Sequence, residues 1–202
     1  MRANSSLLTT LLLATITALS CQAHTASGMP GNTDEPGLTW TGRIEENGEP
    51  TSFTGSSLQQ IEAQIREIKP GFSWSHITEL TSDGAVVGTE GDILCNLSWN
   101  PPYASVFHIR QGVSYLHKIP GDCNIGPGPA NCTRVSCSYS SGIWFCNDSP
   151  QLISVPCATL GDRAYDIVDK CYAYGTGFPT DSVVGQVFDT ANWNVIVAGV
   201  DC

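Results

Sequence analysis

Apolar residues recur at helical spacing in three parts of the chain, which predicts three amphipathic helices. The first extends from Ser57 to Pro70, the second from Tyr103 to Pro120, and the third from Thr159 to Cys171. Their apolar stripes are Leu58, Ile61, Ile65 and Ile68; Val106, Ile109, Val113 and Leu116; and Leu160, Ala164, Ile167 and Val168. Capping-type pairs stand at the start of the first helix (Ser57 and Gln60) and of the third (Thr159 and Asp162).

Alternating apolar and polar residues predict five strands, all after residue 92: 93–97, 133–139, 143–146, 183–188 and 193–200. With the last two helices they give the order β-α-β-β-α-β-β. The simplest packing is an α+β two-layer sandwich, with an antiparallel sheet and both helices on one of its faces. The first six elements follow the split βαβ order.

The loop of the hairpin decides whether Cys137 and Cys146 meet. A three-residue turn at 140–142 places their side chains on opposite faces, whereas a two-residue turn at Ser141-Gly142 places them opposite one another. We favour the longer turn, because a glycine in the left-handed conformation ends three-residue loops well. We therefore predict no Cys137–Cys146 disulfide, and we expect one of the two to bond to Cys171.

The N-terminus has the pattern of an export signal over residues 1–23. An apolar stretch from Leu7 to Leu19 is too short to span a bilayer. Cleavage after Ser20 and cleavage after Ala23 both satisfy the small-residue rule, and only the second removes Cys21. Attachment of a lipid to Cys21 is the remaining alternative. We expect a secreted, extracellular protein.

Composition changes sharply near residue 91. All eight glutamates precede residue 92, and eight of the nine cysteines follow it. We expect residues 24–56 to be a disordered acidic segment, 57–91 a helix-containing extension, and 92–202 a cysteine-rich α/β domain that folds by itself. The net charge of −10 argues against binding to nucleic acid and against adhesion to anionic membranes, and no membrane insertion is expected.

The eight later cysteines predict four disulfides, since an even number at this density after an export signal is typical of an oxidising compartment. They are Cys95, Cys123, Cys132, Cys137, Cys146, Cys157, Cys171 and Cys202. Three sequons predict N-glycosylation at Asn96, Asn131 and Asn147. Asn131 is expected to be best occupied because it ends a Gly/Pro loop, and Asn147 is the weakest because Pro150 follows.

The candidate catalytic groups do not form a known constellation, so we expect no enzyme, no cofactor and no metal. The histidines are His24, His76, His108 and His117, and complete pairing of the cysteines leaves no thiolate for a Cys/His pair. Asp162, Asp166 and Asp169 share one face of the third helix. Paired acids serve glycosidases in a cleft, but the interleaved Arg163 and Lys170 favour a solvated face.

The five tryptophans and six tyrosines are the candidates for a sugar- or partner-binding platform, with tryptophans as the first candidates for recognition anchors. Trp40, Trp74 and Trp99 lie in segments with little periodicity, where exposure is plausible on sequence grounds. Trp144 and Trp193 lie in predicted strands, where packing in the core is the usual role of an aromatic residue.

Several short sequence segments resemble segments of secreted killer-toxin-like proteins of filamentous fungi, a class similar to the smut-fungus viral killer toxins and their cellular relatives. They are Cys132-Thr-Arg-Val-Ser-Cys137, Ile143-Trp-Phe-Cys-Asn-Asp148, Val184-Gly185-Gln186 and the closing strand before Cys202. The resemblance covers about residues 92–202 and implies a fungal secreted cysteine-rich protein of the class that includes candidate host-directed effectors. The known toxins act through exposed basic residues, whereas residues 92–202 here contain few.

We therefore expect a non-enzymatic protein that acts extracellularly on another organism, foremost as a host-directed virulence effector. Its partner would be an unknown host or competitor protein. The first alternative is a killer-toxin-like antimicrobial antagonist. The second is a small secreted hydrolase or a lectin-like protein that binds cell walls.

Overall fold

All three helices form where the apolar stripes predict them. The computed structural model describes residues 37–77, 88–172 and 181–202. Its helices are α1 (Leu58–Ile68), α2 (Val106–Leu116) and α3 (Cys157–Cys171). The N-cap of α1 is Ser57, whose Oγ accepts a hydrogen bond from the backbone N–H of Gln60 at 3.2 Å. A single turn of 3-10 helix follows at Trp74–His76.

The predicted cap of α3 is wrong. The helix begins at Cys157, directly after Pro156, so Thr159 and Asp162 lie inside it. The backbone N–H of Cys157 donates to the carbonyl oxygen of Gly121 at 3.1 Å. Because a neighbouring loop already accepts from this first-turn donor, the helix starts there without a side-chain cap.

All five predicted strands are present, but the first lies earlier than expected, at Glu90–Leu94 and not at 93–97. The strands are β3 (Glu90–Leu94), β6 (Asn131–Ser138), β7 (Ser141–Asn147), β10 (Gly185–Asp189) and β11 (Trp193–Gly199). They form one antiparallel sheet in the order β3-β10-β11-β7-β6. The predicted strand 183–188 is divided: its first residues belong to a short separate strand, β9 (Ser182–Val183), which pairs with β4 (Ala104–Ser105).

A second sheet, which the sequence did not predict, has the order β2-β1-β5-β8 and is also antiparallel. Its strands are β1 (Leu38–Gly42), β2 (Thr51–Gly55), β5 (Asp122–Ile125) and β8 (Ile153–Pro156). The expectation of disorder over 24–56 is therefore wrong for residues 38–55; residues 24–36 lie outside the described part. Leu38 and Trp40 are fully buried, and β1 is held by pairing with β5, a long-range contact that local composition cannot reveal.

One hydrophobic core joins the N-terminal elements to the cysteine-rich part. The buried stripe of α1 belongs to the same cluster as the buried faces of α2 and α3. Trp40 lies at the centre of this junction: its indole N–H donates to the carbonyl oxygen of Pro120 at 2.6 Å, and its ring meets that of Trp74 edge-on at 5.0 Å. The change near residue 91 is therefore a boundary in composition and not in packing.

Both faces of the five-stranded sheet are covered. As expected, α2 and α3 pack on one face, where Ile143, Phe145, Val195 and Val197 enter the main core. The opposite face carries a second buried cluster with Trp144 and Ile196, against which Leu97, Trp99 and Tyr103 pack. The α+β class and the antiparallel pairing are thus confirmed, with a second sheet added and with α1 in the same core as the other two helices.

All eight predicted cysteines are paired. The disulfides are Cys95–Cys171, Cys123–Cys157, Cys132–Cys146 and Cys137–Cys202. Cys137 and Cys146 are not bonded to each other, as predicted, but neither of them bonds to Cys171. Cys132 and Cys146 are directly opposite in the β6–β7 ladder, with their Cα atoms 4.0 Å apart, so this pair bonds across the strands.

The predicted hairpin register is also wrong. The turn is made by Tyr139 and Ser140, and Gly142 lies inside β7 opposite Cys137. A Cβ at Gly142 would overlap the ring of Trp144 and the side chain of Val200. The glycine is therefore required for close packing on the second face of the sheet, and not for the turn.

We expect Trp40→Ala to lower the free energy of unfolding by about 3–5 kcal/mol, because it removes a fully buried ring from the shared core. Guanidinium unfolding followed by far-ultraviolet circular dichroism measures this. Thr51→Ala, on the exposed edge strand β2, is the control and should change stability by less than about 0.5 kcal/mol. A cost below about 1 kcal/mol for Trp40→Ala would show that the β1–β2 hairpin is dispensable.

Candidate recognition surface

The turn between β6 and β7 places a tyrosine where short hairpins usually have asparagine or glycine. Tyr139 has φ 45° and Ser140 has φ 56°, both in the left-handed region. This conformation costs a non-glycine residue roughly 1–2 kcal/mol, which is why Asn-Gly is the common choice in such turns. Backbone strain that persists in a folded protein is a reason to ask what the side chain does.

The surrounding structure fixes this turn. The hydroxyl of Ser141 donates to the carbonyl oxygen of Tyr139 at 3.3 Å and accepts from the backbone N–H of Ser105 at 3.0 Å. The backbone N–H of Val200 donates to the carbonyl oxygen of Ser140 at 3.1 Å. The Cys137–Cys202 disulfide closes the strand just before the turn. These bonds hold the position of Tyr139 in advance of any ligand.

Tyr139 at the turn contacts His108 of α2, which also contacts Phe107, and we call Phe107, His108 and Tyr139 the aromatic platform. Tyr139 is 77% exposed, and its ring stacks on that of His108 with the centroids 4.5 Å apart and the planes 19° apart. Phe107 is 63% exposed and meets His108 edge-on at 5.2 Å. The Nδ1 of His108 lies 3.1 Å from Oε1 of Gln111, one helical turn further on.

The platform can bind a flat or apolar ligand surface at little entropic cost. The His108 ring supports one face of Tyr139, and most of the tyrosine remains open to solvent. A side chain that is already ordered loses little rotamer freedom on binding. Aromatic rings with a polar group at the edge are also the side chains that most often anchor recognition.

The sequence patterns include His108 only as one of four histidines and Tyr139 only as one of six tyrosines, and they do not single out Phe107. Phe107 interrupts the polar face of α2 and does not belong to the apolar stripe, which already contains Val106 and Ile109. Tyr139 is the single aromatic residue in a run of serines. Large apolar residues that lie outside a core pattern are candidates for exposure.

The tryptophans proposed as anchors are mostly buried. Trp40 and Trp74 are core residues, so that expectation is wrong for both, and Trp99 is half-buried against the second face of the sheet. Trp144 and Trp193 are buried as predicted. Trp40 packs against Phe53 and Trp74 and donates to Pro120, and Trp74 also packs against Phe72, so contacts outside the local sequence pattern bury both rings.

The three aspartates of α3 lie in different surroundings. Asp162 lies 2.9 Å from Nε2 of His117, and Asp169 is exposed. Asp166 meets Arg163 at 3.5 Å. The predicted solvated face of α3 is therefore exposed at Asp162 and Asp169 and half-buried at Asp166.

Arg163 joins α3 to the turn between β10 and β11. Its guanidinium lies 2.9 Å from the carboxylate of Asp189, whose side chain is fully buried, and 5.9 Å from the ring centroid of Trp193. Asp189 also accepts from the backbone N–H of Ala191 at 2.9 Å. A buried carboxylate needs such partners, so this arginine has a structural role.

The side-chain carboxyl group of Asp166 has a raised pKa. Burial is the largest cause that raises the pKa of Asp166 above its ordinary value of 3.8, and Glu90 raises it further by charge repulsion and a hydrogen bond. Arg163 lowers the pKa of Asp166, with a smaller effect. The Asp166–Glu90 pair links α3 to β3.

A shallow depression of about 200 Å³ lies beside the His117–Asp162 pair. It is lined by Trp74, Ser75, Ile77, His117, Lys118, Ile119 and Pro120. Burial raises the pKa of the neighbouring Tyr115 above its ordinary value. His24 and the side chain of His76 lie outside the description that the structure gives.

Within the described ranges, no three of the His, Cys, Asp and Glu side chains are grouped as metal ligands would be. No helix in the described part of the chain has both the length and the apolar character needed to cross a bilayer.

The sequons lie in different environments. Asn147 is fully buried, and its amide nitrogen donates to the carbonyl oxygens of Gly126 and Gln151 at 2.8 and 2.7 Å. The amide nitrogen of Asn131 likewise donates to two carbonyl oxygens, at 3.0 and 3.1 Å. Asn96 is exposed in the loop after β3. A glycan replaces an amide hydrogen, so Asn96 is the site that fits the folded chain.

In a eukaryotic secretory host we therefore expect glycan at Asn96 and none at Asn147. Peptide mass spectrometry with and without deglycosylation should assign the modification, and Asn96→Gln should abolish it. Asn131→Gln serves as the matched control and should leave the glycan mass unchanged. Glycan on Asn147 in folded protein would contradict the buried hydrogen bonds of that side chain.

The raised pKa of Asp166 makes stability depend on pH. The folded state holds this proton more tightly than the unfolded chain, so the contribution is complete below pH 3.8 and is lost as the pH rises through the folded-state pKa. We expect Asp166→Asn to reduce that loss between about pH 4 and pH 7, and Asp169→Asn, on the exposed face, to leave it unchanged. Thermal unfolding at pH 4 and at pH 7 measures this loss of stability in each protein. If Asp166→Asn destabilises the protein more at pH 7 than at pH 4, the ion pair with Arg163 dominates instead.

Comparisons with protein-family models, with curated protein sequences and with solved structures found no match to this chain. The surface of the chain itself is therefore the source of information about its function.

Proposed function

We propose that this protein is secreted and acts outside the cell on another organism, by non-covalent recognition through the aromatic platform. The observation that carries the proposal is the strained turn that presents Tyr139. This turn contains a tyrosine with positive φ, and stacking on His108 fixes the orientation of its exposed ring. The principal version is a host-directed effector of a fungus, of the killer-toxin-like class.

The covalent framework supports an extracellular site of action. Four disulfides within the described ranges are typical of proteins that work in oxidising surroundings. The net charge of −10 disfavours nucleic acid and anionic membranes as targets. A recognition protein that is rigid before binding also suits a medium that contains proteases, since cleavage requires local opening of the chain.

The test compares the secreted protein with Tyr139→Gly on plant tissue and on competing microbes, side by side. Glycine suits the positive φ of this turn, so the variant removes the ring and keeps the hairpin. A host response without microbial growth inhibition supports the effector, and growth inhibition by the protein alone supports the antagonist. We expect Tyr139→Gly to lose whichever activity the protein shows.

Two further variants control for the substitution. Tyr139→Phe retains the ring and should retain the activity. Tyr165→Ser removes another exposed tyrosine, on α3, and should also leave the activity intact. If Tyr139→Gly folds with an unchanged disulfide pattern and remains fully active, the aromatic platform is not the recognition surface.

A further inference from the structure

We propose that the aromatic platform binds a neutral pyranose chain, with one sugar ring stacked on Tyr139. The proposal rests on the proposed function of the platform as the recognition surface. It adds the chemical class of the ligand, which would be a cell-wall polysaccharide or an oligosaccharide released from one.

The geometry of Tyr139 suits a sugar ring. His108 stacks on one face of the tyrosine, so an approaching ligand meets the opposite face. A pyranose ring has a face of C–H groups and a rim of hydroxyls, and the C–H face packs against an aromatic face as an apolar surface does. The aromatic ring of Tyr139 and a pyranose ring are both six-membered, so one sugar ring can cover the open face of the tyrosine.

Polar groups beside the platform can meet the rim hydroxyls. Gln111 contacts His108 through its side-chain oxygen and also carries two amide N–H donors. The exposed hydroxyl of Ser140 adds a donor and an acceptor next to the ring. An apolar surface with a few fixed polar groups is the usual composition of a site for a small ligand.

The size of the platform favours a sugar over a protein partner. Aromatic side chains bury roughly 150–250 Å² each, so the exposed parts of Phe107 and Tyr139 offer about 300 Å² together. A stable protein interface buries about 800 Å² on each partner. The available area corresponds to a few sugar rings.

Charge favours a neutral ligand. The rings of Phe107 and Tyr139 and the amide of Gln111 have no formal charge, and the chain as a whole has a net charge of −10. An anionic polysaccharide would be repelled by that field. Arg110 is exposed between His108 and Gln111 on α2, and it would matter only for an acidic sugar.

Calorimetric titration of the full secreted protein tests the proposal. The probes are hexasaccharides of β-1,3-glucose, β-1,4-glucose, β-1,4-N-acetylglucosamine and mannose, with a galacturonate hexamer as the anionic comparison. We expect at least one neutral probe to bind. Tyr139→Gly should weaken that binding by about tenfold or more, as the loss of an aromatic anchor does.

Matched variants separate the ring from other effects. Arg110→Ala and Tyr165→Ser should bind the neutral probe as the unaltered protein does. Tyr139→Phe, which retains the ring, should bind it more tightly than Tyr139→Gly. Phe107→Ser is a second test of the platform, should weaken binding and leaves the turn untouched. Circular dichroism and disulfide mapping establish that each variant is folded.

Three outcomes would overturn the proposal: no neutral probe binds, binding is unchanged in Tyr139→Gly, or the galacturonate probe binds best and depends on Arg110. The proposed function has its own criterion. If no sugar binds but Tyr139→Gly still abolishes action on tissue or microbes, the platform recognises a protein and the proposed function remains. If Tyr139→Gly keeps that action, the proposed function fails whatever the sugars do.

Discussion

The rest of the structure depends on the burial of β7 and β11 on both of their faces. Every residue of these two neighbouring strands is buried. A sheet that is apolar on both sides needs a layer on each. The helices α2 and α3 supply one layer, and the segment around Leu97 and Tyr103 supplies the other. The Cys95–Cys171 disulfide links the start of that segment to the end of α3, so the two covering layers are joined covalently.

Local periodicity was sufficient to predict the helices and the five-stranded sheet. Each of these elements contains its own pattern of buried positions, and the pattern can be read within a dozen residues. The four-stranded sheet could not be predicted in this way, because Thr39 pairs with Asn124. The composition of residues 24–56, which is rich in Gly, Pro, Thr and Glu, indicated disorder. That composition gave no sign that Leu38 and Trp40 are buried, because their partners lie far along the chain.

The candidate site depended on a register that the sequence left ambiguous. A glycine next to a run of serines indicated the turn, but Gly142 is needed where the ring of Trp144 packs. The turn therefore begins one residue earlier than predicted, on Tyr139 and Ser140, and exposes a tyrosine that the sequence pattern placed in a strand. The burial of the tryptophans also could not be predicted from local sequence, because it depends on which distant elements cover them. Aromatic residues outside a periodic stripe were the available clue.

The pairing of β1 with β5 has a consequence for how the chain folds. The N-terminal hairpin is synthesised early, but the strand beside which it must lie appears only about eighty residues later, and Trp40 has no acceptor until Pro120 emerges. Contacts between such distant residues slow folding, because a long loop must close before they contribute. During that interval the apolar face of the hairpin is open to chaperones and to other unfinished chains.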